Sequence, residues 1–144
     1  MRFFAKAFAA WFVLLVTMTA NGFFRGLVLQ PYLGEHQARQ VSSILGTCIV
    51  VTLAGVFVRR LPDPASAPLV RTGILWGLLT LVFEFGFGHY VSGLGWDALL
   101  ADYDIGAGRL WPLVLFATVS APSLWGIAVR GAGVPGRVEG NPNS

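Results

Sequence analysis

Four stretches of mostly apolar residues dominate the chain, and they leave it little choice of solvent. A membrane-crossing helix needs roughly 20 such residues. Qualifying stretches run from about Ala7 to Leu29, Gln37 to Val58, Val70 to Val91 and Trp111 to Val129. Only 12% of the residues are charged, against about 25% in an average soluble domain. A chain so poor in charge cannot coat a water-facing surface, so its expected solvent is lipid. The expected fold is all-α, an integral membrane bundle of four transmembrane helices forming one domain over residues 1–130. The tail 131–144, rich in Gly, Pro and Asn, reads as disordered. Cys48 is the single cysteine, which excludes an intrachain disulfide and any CxxC redox or zinc motif.

The connections and their charges set the orientation. Pro31 and Gly34 punctuate the first connection, and Arg59-Arg60-Leu61-Pro62-Asp63-Pro64 ends the second span. Pro112 suits a first helical turn, while Pro122 falls inside the fourth span and predicts a kink. Arg2, Lys6, Arg59, Arg60, Arg71, Arg130 and Arg137 all fall on one side. The other side mixes Arg25, Arg39 and Arg109 with Glu35, Asp97, Asp102 and Asp104. Lys and Arg mark the cytoplasmic side, so both termini are expected inside, in a multi-pass protein of the bacterial cytoplasmic (inner) membrane. The net charge of +3 is an orientation signal rather than a nucleic-acid footprint. Met1–Ala20 also has the parts of a signal peptide, but Met18 is bulky for the position two before cleavage. The apolar run also continues to Leu33, which favours a retained span.

Within the spans, polar residues recur at helical spacing. Gly73, Gly77, Thr80, Glu84 and Gly88 share one face of the third span, a small and polar stripe suited to helix packing in lipid. Thr17, Asn21 and Arg25 line the first span, His36, Gln40, Ser43 and Thr47 the second, and Thr118 the fourth. At about 1.5 Å per residue, Glu84 and Asn21 both lie roughly 20 Å above the cytoplasmic end, with Ser43 and Thr118 level with them. Arg25, Gln40 and His89 follow one turn farther out. The expected result is a polar layer of Asn21, Arg25, Ser43, Thr80, Glu84 and His89, with Glu84 and Arg25 within reach of each other. An ionised group near mid-bilayer costs about 2.5–3.5 kcal/mol on insertion scales. Glu84 therefore reads either as half of an ion pair that fixes helix register or as the titrating group of a proton- or cation-linked site.

No metal site is expected, because His36, Glu84 and His89 lack the i, i+4 ligand spacing. Between the third and fourth spans, Trp96, Leu99, Leu100 and Tyr103 fall at helical spacing, which predicts a short amphipathic helix in the second outer loop. Asp102-Tyr103-Asp104 departs from a calcium loop, since its glycine comes one place early and no glutamate follows at the right distance. The chain shows no internal repeat, so an inverted-repeat transporter is not suggested.

Three strings carry a resemblance. They are Asn21-Gly22 with Arg25, continuing into Pro31-Tyr32-Leu33-Gly34 with Ala38 and Ser42; Phe83-Glu84-Phe85 with Gly88-His89; and Leu99-Leu100-Ala101-Asp102-Tyr103 running to Gly108-Arg109-Leu110-Trp111. Together they resemble a group of uncharacterised small bacterial inner-membrane proteins with four spans. The resemblance implies the topology and no chemistry. Small multidrug exporters place their glutamate in the first span, where this chain has Asn21 and Arg25. The sequence therefore points to a non-enzymatic structural or accessory membrane protein without a cofactor. Its partners would be the lipid bilayer and either a second copy or another membrane protein. The alternatives are a small proton- or cation-linked transporter using Glu84 and Arg25, and a membrane enzyme acting on a lipid or quinone.

Overall fold

The computed structural model describes residues 2–64 and 67–132, and everything regular in them is helical. The long helices are α1 (Arg2–Phe24), α2 (Gln30–Arg59), α3 (Leu69–Gly86) and α5 (Trp111–Ala132), with the short α4 (Trp96–Ala101) in the loop before α5. Three helical elements are long and apolar enough to cross a membrane: Arg2–Arg59, Leu69–Val91 and Trp111–Ala132. Only 28% to 39% of their most apolar windows is buried inside the protein, so most of that apolar surface faces outward and calls for lipid. Gly131 and Ala132 still belong to α5; the remainder of the expected tail, 133–144, lies outside the described residues.

The first element is a hairpin rather than one rod. Gly34 has φ 76° and ψ 167°, a left-handed backbone that only glycine adopts readily, and the chain reverses there. The pairing fixes the direction. The Phe3 and Phe57 rings lie 6.1 Å apart near one end, and Asn21 reaches Ser42 near the other. Pro31 does not break the chain, contrary to the expectation that it shares the first connection with Gly34. Helical backbone continues through it, preceded by a widened π-turn over Arg25–Leu29. A proline ring crowds the carbonyl four residues earlier, and a widened turn at that point relieves the clash.

The other contacts give an up-down-up-down bundle. Trp76 Nε1–H donates to the Ala7 carbonyl at 2.9 Å and Trp11 Nε1–H to Thr80 Oγ1 at 3.2 Å, so α1 and α3 run parallel. Trp125 Nε1–H donates to the Val51 carbonyl at 2.8 Å, seating α5 beside α2. Trp76 is fully buried, as are Val50, Val58, Val114, Thr72 and Pro122. The small residues of α3 are used within the chain. A Cβ on Gly73 would land on the Val119 carbonyl, and one on Gly77 would meet the Val119 side chain at 2.6 Å. Small residues let backbones approach this closely in lipid. The stripe expected to face other helices therefore packs on α5, and at its C-terminal end on Leu99 of α4 through Gly88. Pro122 is buried within α5, which is helical on both sides of it.

Candidate site: a charged cavity under the α4 loop

The half of the bundle nearer α4 is not filled. A cavity of about 660 Å³ lies there, inside the roughly 300–1,000 Å³ range of small-molecule sites. Its lower wall is apolar, made by Leu14, Leu15, Met18, Phe83 and Val114. Its upper wall carries Arg25, Glu35, Arg39, Glu84, Asp102 and Arg109. Two π-turns border it. Arg25 opens the first, and Phe87 and Gly88 belong to the second, Phe87–Val91. Such widened turns recur at functional sites because they re-aim side chains.

Four of the six charged groups form one chain. Arg39 Nη2 reaches Glu35 Oε1 at 2.7 Å and Arg39 Nη1 reaches Asp102 Oδ1 at 2.9 Å. Arg109 Nη1 bonds the same Asp102 oxygen. These side chains tie the start of α2 to the outer loop across 63 residues of sequence. The Arg39 hydrogen bond, aided by its charge, holds the exposed Glu35 carboxyl below its ordinary range.

Glu84 is held differently. Its Oε2 accepts the Tyr103 hydroxyl at 2.6 Å and Trp111 Nε1–H at 2.9 Å, both neutral donors from the outer loop and the start of α5. Its Oε1 has no hydrogen bond among the described residues, and the residue lines the cavity. The expected pairing with Arg25 does not form: among the described residues Arg25 makes no ion pair or hydrogen bond, although it lines the same cavity. Height along the helices placed the two groups near each other, but the loop folds down and supplies Glu84 with other partners.

The remaining expected site residues divide. Ser43 and Thr80 line the cavity, and Thr80 also accepts the Trp11 bond. Asn21 is buried outside the cavity lining and donates through Nδ2 to the Ser42 carbonyl at 3.0 Å and Ser42 Oγ at 3.1 Å. His89 lies outside the cavity lining, stacked on Trp96 at 4.1 Å between centroids, with Nδ1 2.9 Å from the Leu94 carbonyl. Thr118 lines the cavity but returns its hydroxyl to the Val114 carbonyl at 2.8 Å. The short helix expected in the outer loop is present as α4, with Leu99 buried and Leu100 exposed. Asp104 caps the following turn through Ala107 N–H. Among the described residues no group of His, Cys, Asp and Glu is arranged to hold a metal.

Sequence reasoning missed Glu35, Arg39, Asp102, Arg109, Tyr103 and Trp111 as site residues. Glu35 and Arg39 carried a signal, since four-residue spacing favours an ion pair on one helix face. The other residues carried none beyond membership of the strings quoted for the resemblance. Those three strings all border this cavity, through Gly22 and Arg25, Phe83 and Glu84, and Asp102 and Arg109.

Burial pushes the Tyr103 phenol up, and the Glu84 carboxylate that accepts its proton pushes it further. A raised phenol pKa means that the neutral form is favoured in the fold. The stabilisation is complete below the ordinary value of about 10 and is lost as pH rises through the higher folded value. The tyrosinate absorbance step that disappears in Tyr103→Phe is therefore expected above about pH 10. A step at or below that pH would contradict the hydrogen bond. Comparison of the chain with known family models, characterised proteins and solved structures gives no match.

Proposed function

We propose that the chain is a four-span protein of the bacterial cytoplasmic membrane, with both termini inside. Its outward cavity binds a small ligand carrying an anionic group. The observation that carries this reading is Arg25. It is a half-buried cation lining a cavity, and among the described residues it makes no ion pair or hydrogen bond, while the three acids of the same lining bond to other residues. Charged side chains inside membrane spans are expensive and usually find a partner. A ligand anion would supply the partner that the chain does not. Beneath the cavity the bundle is packed around Trp11 and Trp76, which suits a binding site better than a continuous transport path. The accessory-subunit reading drew on the small-residue stripe of α3, and α5 and α4 of the same chain already cover that stripe.

The binding claim is tested by thermal unfolding in detergent with and without an alkyl phosphate. Saturation at about 100 times Kd would stabilise wild type by about 2.7 kcal/mol. Arg25→Gln, which breaks no bond in the structure, should unfold like unliganded wild type and lose that gain. Equal gains in the two proteins would reject the site. Topology is tested by single cysteines on a Cys48→Ala background. Asp97→Cys should react with an impermeant maleimide in intact cells, and Asp63→Cys only after permeabilisation. The reverse pattern would overturn the orientation.

A further inference from the structure

Resting on the cavity-binding reading above, we infer that the ligand is a zwitterion. Its anionic end would meet Arg25 and its primary ammonium would meet Glu84. The charges around the cavity carry the argument. Asp102 and Glu35 are engaged by Arg39 and Arg109. Among the described residues of the lining, that leaves one cation, Arg25, and one carboxylate, Glu84, which share a cavity without a bond between them. Tyr103 and Trp111 orient the Glu84 carboxylate through Oε2 but bring no positive charge. Oε1 accepts no hydrogen bond among the described residues, and Glu84 lines the cavity. An anion alone would satisfy Arg25 and leave the acid unmatched. A cation alone would do the reverse. A ligand carrying both charges matches both groups through charge-assisted hydrogen bonds.

The ammonium is primary because a carboxylate oxygen without a hydrogen bond asks for an N–H donor, and a primary ammonium offers three. A quaternary ammonium offers none and is recognised instead by aromatic cages. The apolar lower wall of Leu14, Leu15, Met18 and Val114 suits a hydrocarbon portion on the same molecule. Two sources share this chemistry: the ethanolamine phosphate headgroup of a membrane lipid, and a free amino acid with an apolar side chain.

The test is thermal unfolding of the purified full chain in detergent, followed by tryptophan fluorescence. Five ligands are titrated separately: phosphatidylethanolamine, phosphatidylglycerol, phosphatidylcholine, free ethanolamine phosphate and leucine. Wild type should respond to phosphatidylethanolamine or to leucine at a concentration about tenfold below that for phosphatidylglycerol and phosphatidylcholine. A response to ethanolamine phosphate as strong as to the whole lipid would show that the headgroup suffices. A response to leucine alone would identify the free amino acid as the source. Glu84→Gln should abolish the preference over phosphatidylglycerol while keeping the response to it. Tyr103→Phe removes an anchor but keeps the Glu84 charge, so it should lower the unliganded midpoint and retain the preference.

Equal responses of wild type to phosphatidylethanolamine and phosphatidylglycerol, both lost in Arg25→Gln, would overturn the ammonium contact and leave the anion site standing. So would a preference for phosphatidylcholine. Responses unchanged by Arg25→Gln would overturn the cavity reading itself. If Glu84→Gln does not fold, the panel on wild type and Tyr103→Phe still decides.

Discussion

Gly73→Ala is expected to destabilise the protein more than any other single added methyl group. The new Cβ would fall on the Val119 carbonyl oxygen, which belongs to the backbone of α5 and cannot rotate away. The two helices must separate, and Trp76, one turn along α3 and fully buried, loses its fit. Overpacking costs about 1–3 kcal/mol and occasionally more, and a rigid backbone obstacle belongs at the top of that range. For a chain of this length, about 3 kcal/mol corresponds to a fall in midpoint of roughly 10 °C. Gly22→Ala and Gly86→Ala are the matched controls, because a Cβ at either position meets nothing within 4 Å. Alanine is the better helix former, so both controls should be neutral or slightly stabilising. If Gly73→Ala melts with the controls, α3 and α5 do not pack as described.

The second large effect concerns Glu84, and here the two obvious substitutions should part company. Glu84→Ala removes the acceptor of the Tyr103 hydroxyl and takes away the carboxylate partner of Trp111 Nε1–H. Hydrogen bonds to charged groups contribute about 1.5–3 kcal/mol each, though double-mutant cycles in membrane proteins average only about 0.6. A loss of about 2–3 kcal/mol for the pair of bonds lies between these bounds. It should be felt locally, as faster amide exchange over residues 96–111. Glu84→Gln keeps a carbonyl that can accept both bonds, so its cost should stay near 1 kcal/mol. A buried ion pair behaves otherwise, because removing one charge strands the other and costs about 3–5 kcal/mol. A steep loss in Glu84→Gln would therefore restore the Arg25 pairing that the geometry denies.

The contrast shows which parts of the molecule could be read in advance. The long helices could, because a run of apolar residues is a local property and lipid demands it. Gly34 could, since a glycine between two such runs has few other uses, and so could α4, whose apolar residues fall on one face. Ser42 against Ser43 marks where that kind of reading stops. One residue is about 100° of rotation on a helix, and height along the span says nothing about which face meets Asn21. Glu84 shows the same gap on a larger scale. Its partners lie 19 and 27 residues away in sequence, beyond a loop whose fold depends on α4 seating Leu99 against Gly88. The ion chain from Glu35 to Arg109 was half legible, through the four-residue spacing of Glu35 and Arg39. Its link to Asp102 spans 63 residues and leaves no periodic trace.

The central claim is that Arg25 is kept unpaired because a ligand pairs it. The most direct measurement is native mass spectrometry of wild type and Arg25→Gln, each extracted from membranes in mild detergent. Wild type is expected to carry one additional bound mass of an amphiphilic or small zwitterionic compound. Arg25→Gln should be equally folded by circular dichroism and free of that mass. Equal occupancy in the two proteins, or a wild type that carries nothing, would contradict the account.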